Sequence, residues 1–93
     1  MTKVPTKIND IFAVRVELKR LMKRMSRETL AQRSGLSVQR IEAIERGREN
    51  VDLDTVEKLA DALKVLPFSL LVTPSPKNIE YLRVLRRDHP HLA

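Results

Sequence analysis

Apolar residues recur at three- and four-residue intervals from Ile11 through Leu85, and no stretch alternates with the period of two that a half-buried strand requires. The pattern commits the chain to helices. In the first segment, "INDIFAVRVELKRLMKRM", one stripe holds Ile11, Val14, Leu18, Leu21, Met22 and Met25, while Phe12 and Val16 form a second seam. Such a helix is expected to touch neighbours on two sides. Ser26 reads as the N-cap of a short second helix, "RETLAQRS", which stops at Gly35. Ser37 reads as the cap of a third, running to Ile44 or Glu45 and closing at Gly47. The only two glycines of the chain therefore stand at helix stops, where a left-handed backbone is needed.

Asp52 is expected to cap a fourth helix, "LDTVEKLADALK", with Leu53, Val56, Leu59, Ala60 and Leu63 on its buried face. Pro67 suits the first turn of a fifth short helix, "PFSLLV". "TPSP" then breaks the pattern, and "KNIEYLRVLRRDH" reads as a sixth helix with Ile79, Leu82 and Leu85 on one side. The expected fold is all-α: an N-terminal arm over 1–10, a five-helix domain over 11–72, and a linker with a helical extension over 73–93.

With 93 residues the chain is sized for one compact domain, too small for a multidomain enzyme. It has no cysteine, so neither a disulfide framework nor a thiolate metal site holds it together. No window approaches the roughly 18 apolar residues of a bilayer span, and no leader pattern opens the chain, so a cytoplasmic location is expected. The two histidines, His89 and His91, flank Pro90 in what reads as an unstructured tail. With no ordered carboxylate cluster beside them, neither catalysis nor a cofactor nor a metal is expected.

The charge is unevenly placed. Residues 1–33 carry nine Lys or Arg against three acids, whereas the remainder carries nine of each sign, so the whole excess of +6 sits in the first third. A basic face can serve solubility alone, or it can meet a polyanion, most often nucleic acid.

The third segment, "RSGLSVQRIEAIERG", sorts its residues by face. At 100° per residue, Val38, Ile41 and Ile44 fall within about 60° of one centre line, and Glu45 falls inside the same arc. Gln39, Ala43 and Arg46 lie opposite, flanked by Arg40 and Glu42. A carboxylate on a docking face must find a partner or reach solvent at the helix end. Arg20, one turn beyond Val16 on the second seam of the first helix, is the candidate partner. The gap between the second and third helices is a few residues containing Gly35, the arrangement of a helix-turn-helix whose second helix enters the DNA major groove.

At this point the chain resembles the Xre family, the Cro/cI-type helix-turn-helix domains, over roughly residues 11–72. The resemblance is carried by "LAQRSGLS", then "IEAIERG", then a helix containing "LADAL", then "PFSLL". It implies a sequence-specific regulator, a repressor more than an activator, that binds double-stranded DNA at a palindromic operator as a homodimer. By the same resemblance Arg20 and Glu45 correspond to a buried ion pair. Ser37, Val38, Gln39, Arg40 and Ala43 fall on base-reading positions. Gln39 could pair with adenine, Arg40 with guanine or a phosphate, and Val38 or Ala43 with a thymine methyl. Phosphate contacts fall on Arg27, Arg46, Arg48 and Asn50, with Arg27 standing where relatives often carry Gln. Glu42 could accept from cytosine or repel phosphate. Pairing of two copies falls on the region of Leu66, Phe68, Leu71 and Val72. Two departures are Ser34, in place of an apolar residue, and Leu66, in place of a capping residue.

A different class of function is also open. Short proteins of this kind can act as the antitoxin of a toxin–antitoxin pair, binding a toxin protein. The stripe of Ile79, Leu82 and Leu85, with Tyr81, would be a docking surface unless it packs on the domain or on a second copy.

Overall fold

The computed structural model describes residues 3–92. Its α-helices are α1 (Ile8–Met22), α2 (Arg27–Ser34), α3 (Val38–Glu45), α4 (Leu53–Leu63) and α5 (Pro76–Asp88), with single 3-10 turns at Pro67–Leu70 and Pro90–Leu92. The described residues contain no strand.

Local chemistry sets the helix ends. Ser26, Ser37 and Asp52 each accept a hydrogen bond from the backbone N–H three residues on, and all three have extended backbone. Gly35 closes α2 at φ +77°. Gly47 follows α3 at φ +72°, a backbone conformation that favours glycine, and a Cβ there would lie 2.5 Å from Oδ1 of Asp10, whose side chain would have to turn aside. α5 opens with a full capping box: Ser75 accepts from the Asn78 N–H and Asn78 accepts from the Ser75 N–H. Lys64 closes α4 in the left-handed region at φ 57°.

Helix α1 is the spine, and its two seams serve two cores. Phe12 and Val16 pack with Met25, Leu30, Leu36, Ile41, Ile44, Val56, Leu59, Leu63 and Leu70, joining α1 to the helix-turn-helix and α4. Leu18 and Leu21, on the other seam, pack with Leu82 and Leu85 of α5, and Val14 and Leu92 border that cluster. A bidentate ion pair reinforces the second contact. Glu17, only 4% exposed, accepts from Arg86 Nε at 2.7 Å and Nη2 at 2.5 Å. The Arg86 guanidinium is held above its ordinary pKa, first by that hydrogen bond.

Several expectations change. α1 ends at Met22, which is exposed; Met25 reaches the core only after a turn in which Arg24 takes φ 55°. Leu53 is exposed at the start of α4 rather than buried, because the first turn buries Thr55 and Val56 and turns Leu53 to the other side. The fifth helix is one 3-10 turn: between Pro67 and the Pro74 break there are too few residues to propagate an α-helix, and Leu66 provides no side-chain cap. Residues 90–92 are not a tail. They form a turn that leans Leu92 on the second core. Ser34, in place of an apolar residue, is buried and satisfied, its hydroxyl accepting from the Leu36 N–H at 3.2 Å.

If α5 is part of the fold rather than an appendage, Leu85→Ala should cost about 2–5 kcal/mol, as for other large-to-small changes in a packed core. Urea denaturation followed by circular dichroism would show one shifted transition; an unshifted midpoint would mean that α5 contributes nothing to the stability of α1.

Candidate nucleic-acid interface

The position of α3 is governed by one buried cation. Arg20, fully buried, donates from Nε to Glu45 Oε2 at 2.7 Å and from Nη2 to Glu45 Oε1 at 3.0 Å. Its Nη1 donates to the Met25 carbonyl at 2.9 Å and to the carbonyl of Leu92. Glu45 Oε1 also accepts from Arg27 Nε at 3.0 Å. One carboxylate at the end of α3 is thus held by α1 and by the first residue of α2, and no buried side-chain polar atom among the described residues lacks a partner. The apolar face adds Ile41 and Ile44, both buried, with Val38 half-buried.

What remains of α3 faces outward. Gln39 is exposed and Ala43 partly so, and with Glu42, Arg46 and Arg48 they line one shallow polar concavity. Arg46 pairs with Glu42 one turn earlier at 3.0 Å, an exposed contact of small energetic weight. The side chains of Gln39 and Arg48 make no hydrogen bond or ion pair among the described residues, so their polar groups are available to a ligand, while the Arg48 N–H donates to the Ala43 carbonyl at 2.9 Å. Ser37 is exposed, but its hydroxyl is occupied in capping α3 by the Arg40 N–H at 3.1 Å.

Three other predicted residues are tied down. Arg27 turns its Nε toward Glu45 instead of solvent, leaving its Nη groups. Asn50 accepts from Asn9 Nδ2 at 3.2 Å, and Asn9 Oδ1 accepts from the Val51 N–H at 3.0 Å. The start of α1 therefore holds the loop after α3. Arg40 donates from Nη2 to Thr55 Oγ1 at 2.8 Å and to Asp52 Oδ2 at 3.3 Å. Asp52 lies below the usual carboxylate pKa, first through the Thr55 backbone N–H, then through the Thr55 hydroxyl, with Arg40 and Lys58 adding to the effect.

Sequence reasoning missed Asn9, Asp52 and Thr55 as residues that shape this face. Asp52 was visible only as a cap, and nothing in the sequence signals that Arg40, twelve positions earlier, shares its carboxylate. The four residues in the expected pairing region lie away from α3. Leu66 is 67% and Phe68 64% exposed, Val72 is also exposed, and Leu71 leans on the main core. Arg15 braces the segment from α1, donating from Nε to the Val72 carbonyl at 2.8 Å; partial burial lowers its pKa.

Two short helices across a tight glycine turn, the second anchored by one face and polar on the other, define a helix-turn-helix unit. The helix-turn-helix family model HTH_3 matches residues 16–71. The chain belongs to that family, of Xre, Cro/cI type, whose members are DNA-binding transcription regulators. It is 37% identical over 70 residues to a hypothetical transcription factor of Neisseria meningitidis, covering 75% of this chain and 66% of that protein. It is 45% identical over 65 residues to the control protein C.BamHI of Bacillus amyloliquefaciens, covering 69% of this chain and 80% of that one. The crystal structure of the Neisseria factor superposes with a TM-score of 0.73 at 32% identity, over 90% of this chain and 94% of that one. That of the restriction-modification controller C.AhdI from Aeromonas hydrophila gives 0.64 at 40% identity, over 67% and 94% respectively. No helix among the described residues is long and apolar enough to cross a membrane.

Removing Glu45 should leave a buried, unpaired guanidinium, and Glu45→Ala should cost about 3–5 kcal/mol. Calorimetric melting checks this; a melting temperature equal to that of the parent would show that Arg20 finds another acceptor.

Proposed function

We propose that the protein is a sequence-specific, homodimeric repressor of the restriction-modification controller kind, reading a palindromic operator with α3 in the major groove. The observation that carries this is the free outer face of α3 on a helix whose inner face is fixed by Arg20, Arg27 and Glu45. Gln39 is the principal reader, with two amide groups to offer adenine. Val38 and Ala43 supply apolar contact for a thymine methyl, and Ser37 and Arg40 flank them. Arg48 and Arg46, with the Nη groups of Arg27 and the amide of Asn50, take phosphates on either side. The controller kind is supported by the 45% identity to C.BamHI and the likeness to C.AhdI.

A second observation supports the dimer. Leu66, Phe68 and Val72 are exposed apolar side chains close together in sequence after α4. Two copies paired there would present two α3 helices to half-sites about 34 Å apart, one turn of duplex. Of the stripe read as a toxin-docking surface, Leu82 and Leu85 pack on α1, which leaves the half-buried Ile79 and the exposed Tyr81.

Two measurements test this reading. On an operator selected from a randomised duplex pool, Gln39→Ala should weaken binding by roughly 1–3 kcal/mol while leaving a scrambled duplex unaffected. Equal losses on both duplexes would remove Gln39 from base reading. In sedimentation experiments, Phe68→Glu should convert a dimer to a folded monomer and weaken operator binding. A dimer that survives the change would place the interface elsewhere.

A further inference from the structure

The Arg40 side chain starts on the reading helix but ends on α4. Both bonds of its Nη2 go to one neighbour group, Thr55 Oγ1 at 2.8 Å and Asp52 Oδ2 at 3.3 Å. The two acceptors are themselves locked: Asp52 Oδ1 accepts from the Thr55 N–H at 2.8 Å and Oδ2 from the Thr55 hydroxyl at 2.9 Å. Thr55 is 2% exposed, so its hydroxyl cannot rotate away into water. The Arg40 side chain remains 37% exposed.

A guanidinium offers two ways of gripping a pair of acceptors such as guanine O6 and N7. Side-on, it uses Nε and Nη2; end-on, it uses Nη1 and Nη2. Both draw on Nη2, and in this structure that nitrogen is turned to Thr55 and Asp52, whose acceptor oxygens lie 2.9 Å from each other on α4 and its cap. A base contact that pulls the Arg40 side chain toward the duplex has to be made at the expense of those bonds.

We propose that Asp52 and Thr55 form a clamp that competes with DNA for Arg40, which makes these two residues of α4 determinants of how tightly the protein binds. The inference rests on the reading of α3 as the base-reading helix. While the clamp is closed, Arg40 stays off the duplex and contributes no contact. It opens where acceptors on the duplex replace the bonds given up. The clamp therefore subtracts from the affinity that Arg40 would otherwise supply.

The test uses Thr55→Val, which keeps the shape and the backbone bond to Asp52 but removes the hydroxyl, and Thr55→Ser, which keeps the hydroxyl. Binding is measured on the selected operator, with melting temperatures recorded alongside. Thr55→Val should tighten binding roughly 2- to 10-fold, the range for one hydrogen bond. Thr55→Ser should match the parent, and Thr55→Val made on an Arg40→Ala background should produce no tightening. Unchanged binding by a Thr55→Val protein of unaltered melting temperature would overturn the clamp. Weakened binding would overturn it too, and would make the cluster a brace that holds Arg40 in its bound position. Failure of every variant, and of the parent, to select any operator would instead overturn the DNA-reading assignment of α3.

Discussion

A guanidinium without water around it is stable only if acceptors meet its protons from every side, and the arrangement of this domain follows from satisfying one such group. Arg20 collects its acceptors from the end of α3, the turn before α2 and the turn at residues 90–92. Those segments are far apart in the chain. The cation thus registers α3 against the spine in a way that packing of Ile41 and Ile44 alone would not, since apolar contacts tolerate sliding and a forked, charged bond does not. The orientation of the outer face of α3 is inherited from this contact.

The same economy recurs at smaller scale. Asn9 spends both ends of its amide on the loop after α3, and Glu17 grips Arg86. Each is a polar residue of α1 used to hold something else in place. The polar groups left unengaged on α3, Gln39 above all, are consequently conspicuous.

Features set by neighbours in the chain were legible in the sequence. The caps at Ser26, Ser37 and Asp52 and the stop at Gly35 are local hydrogen-bonding problems with few solutions. The two-seamed character of α1 and the facing of Glu45 toward Arg20 followed from helical geometry, because both residues continue apolar stripes. Interactions that join charged residues on outwardly solvated stripes were not legible. Glu17 and Arg86 are 69 positions apart and each reads as a surface charge. Backbone acceptors carry no sequence signature at all, so the role of the Leu92 carbonyl beneath Arg20 could not be anticipated and the segment around "HPH" was read as a tail. The short 3-10 turn at Pro67 reflects a length threshold, which periodicity does not encode.

The double packing of α1 bears on how the molecule opens. Because Phe12 and Val16 belong to one core and Leu18 and Leu21 to the other, neither half can melt while leaving its companion a complete interior. Local fluctuations are confined to segments that carry little of either cluster, such as the loop around Asn50. The amide protons of α1 should accordingly be among the slowest in the protein to exchange with solvent.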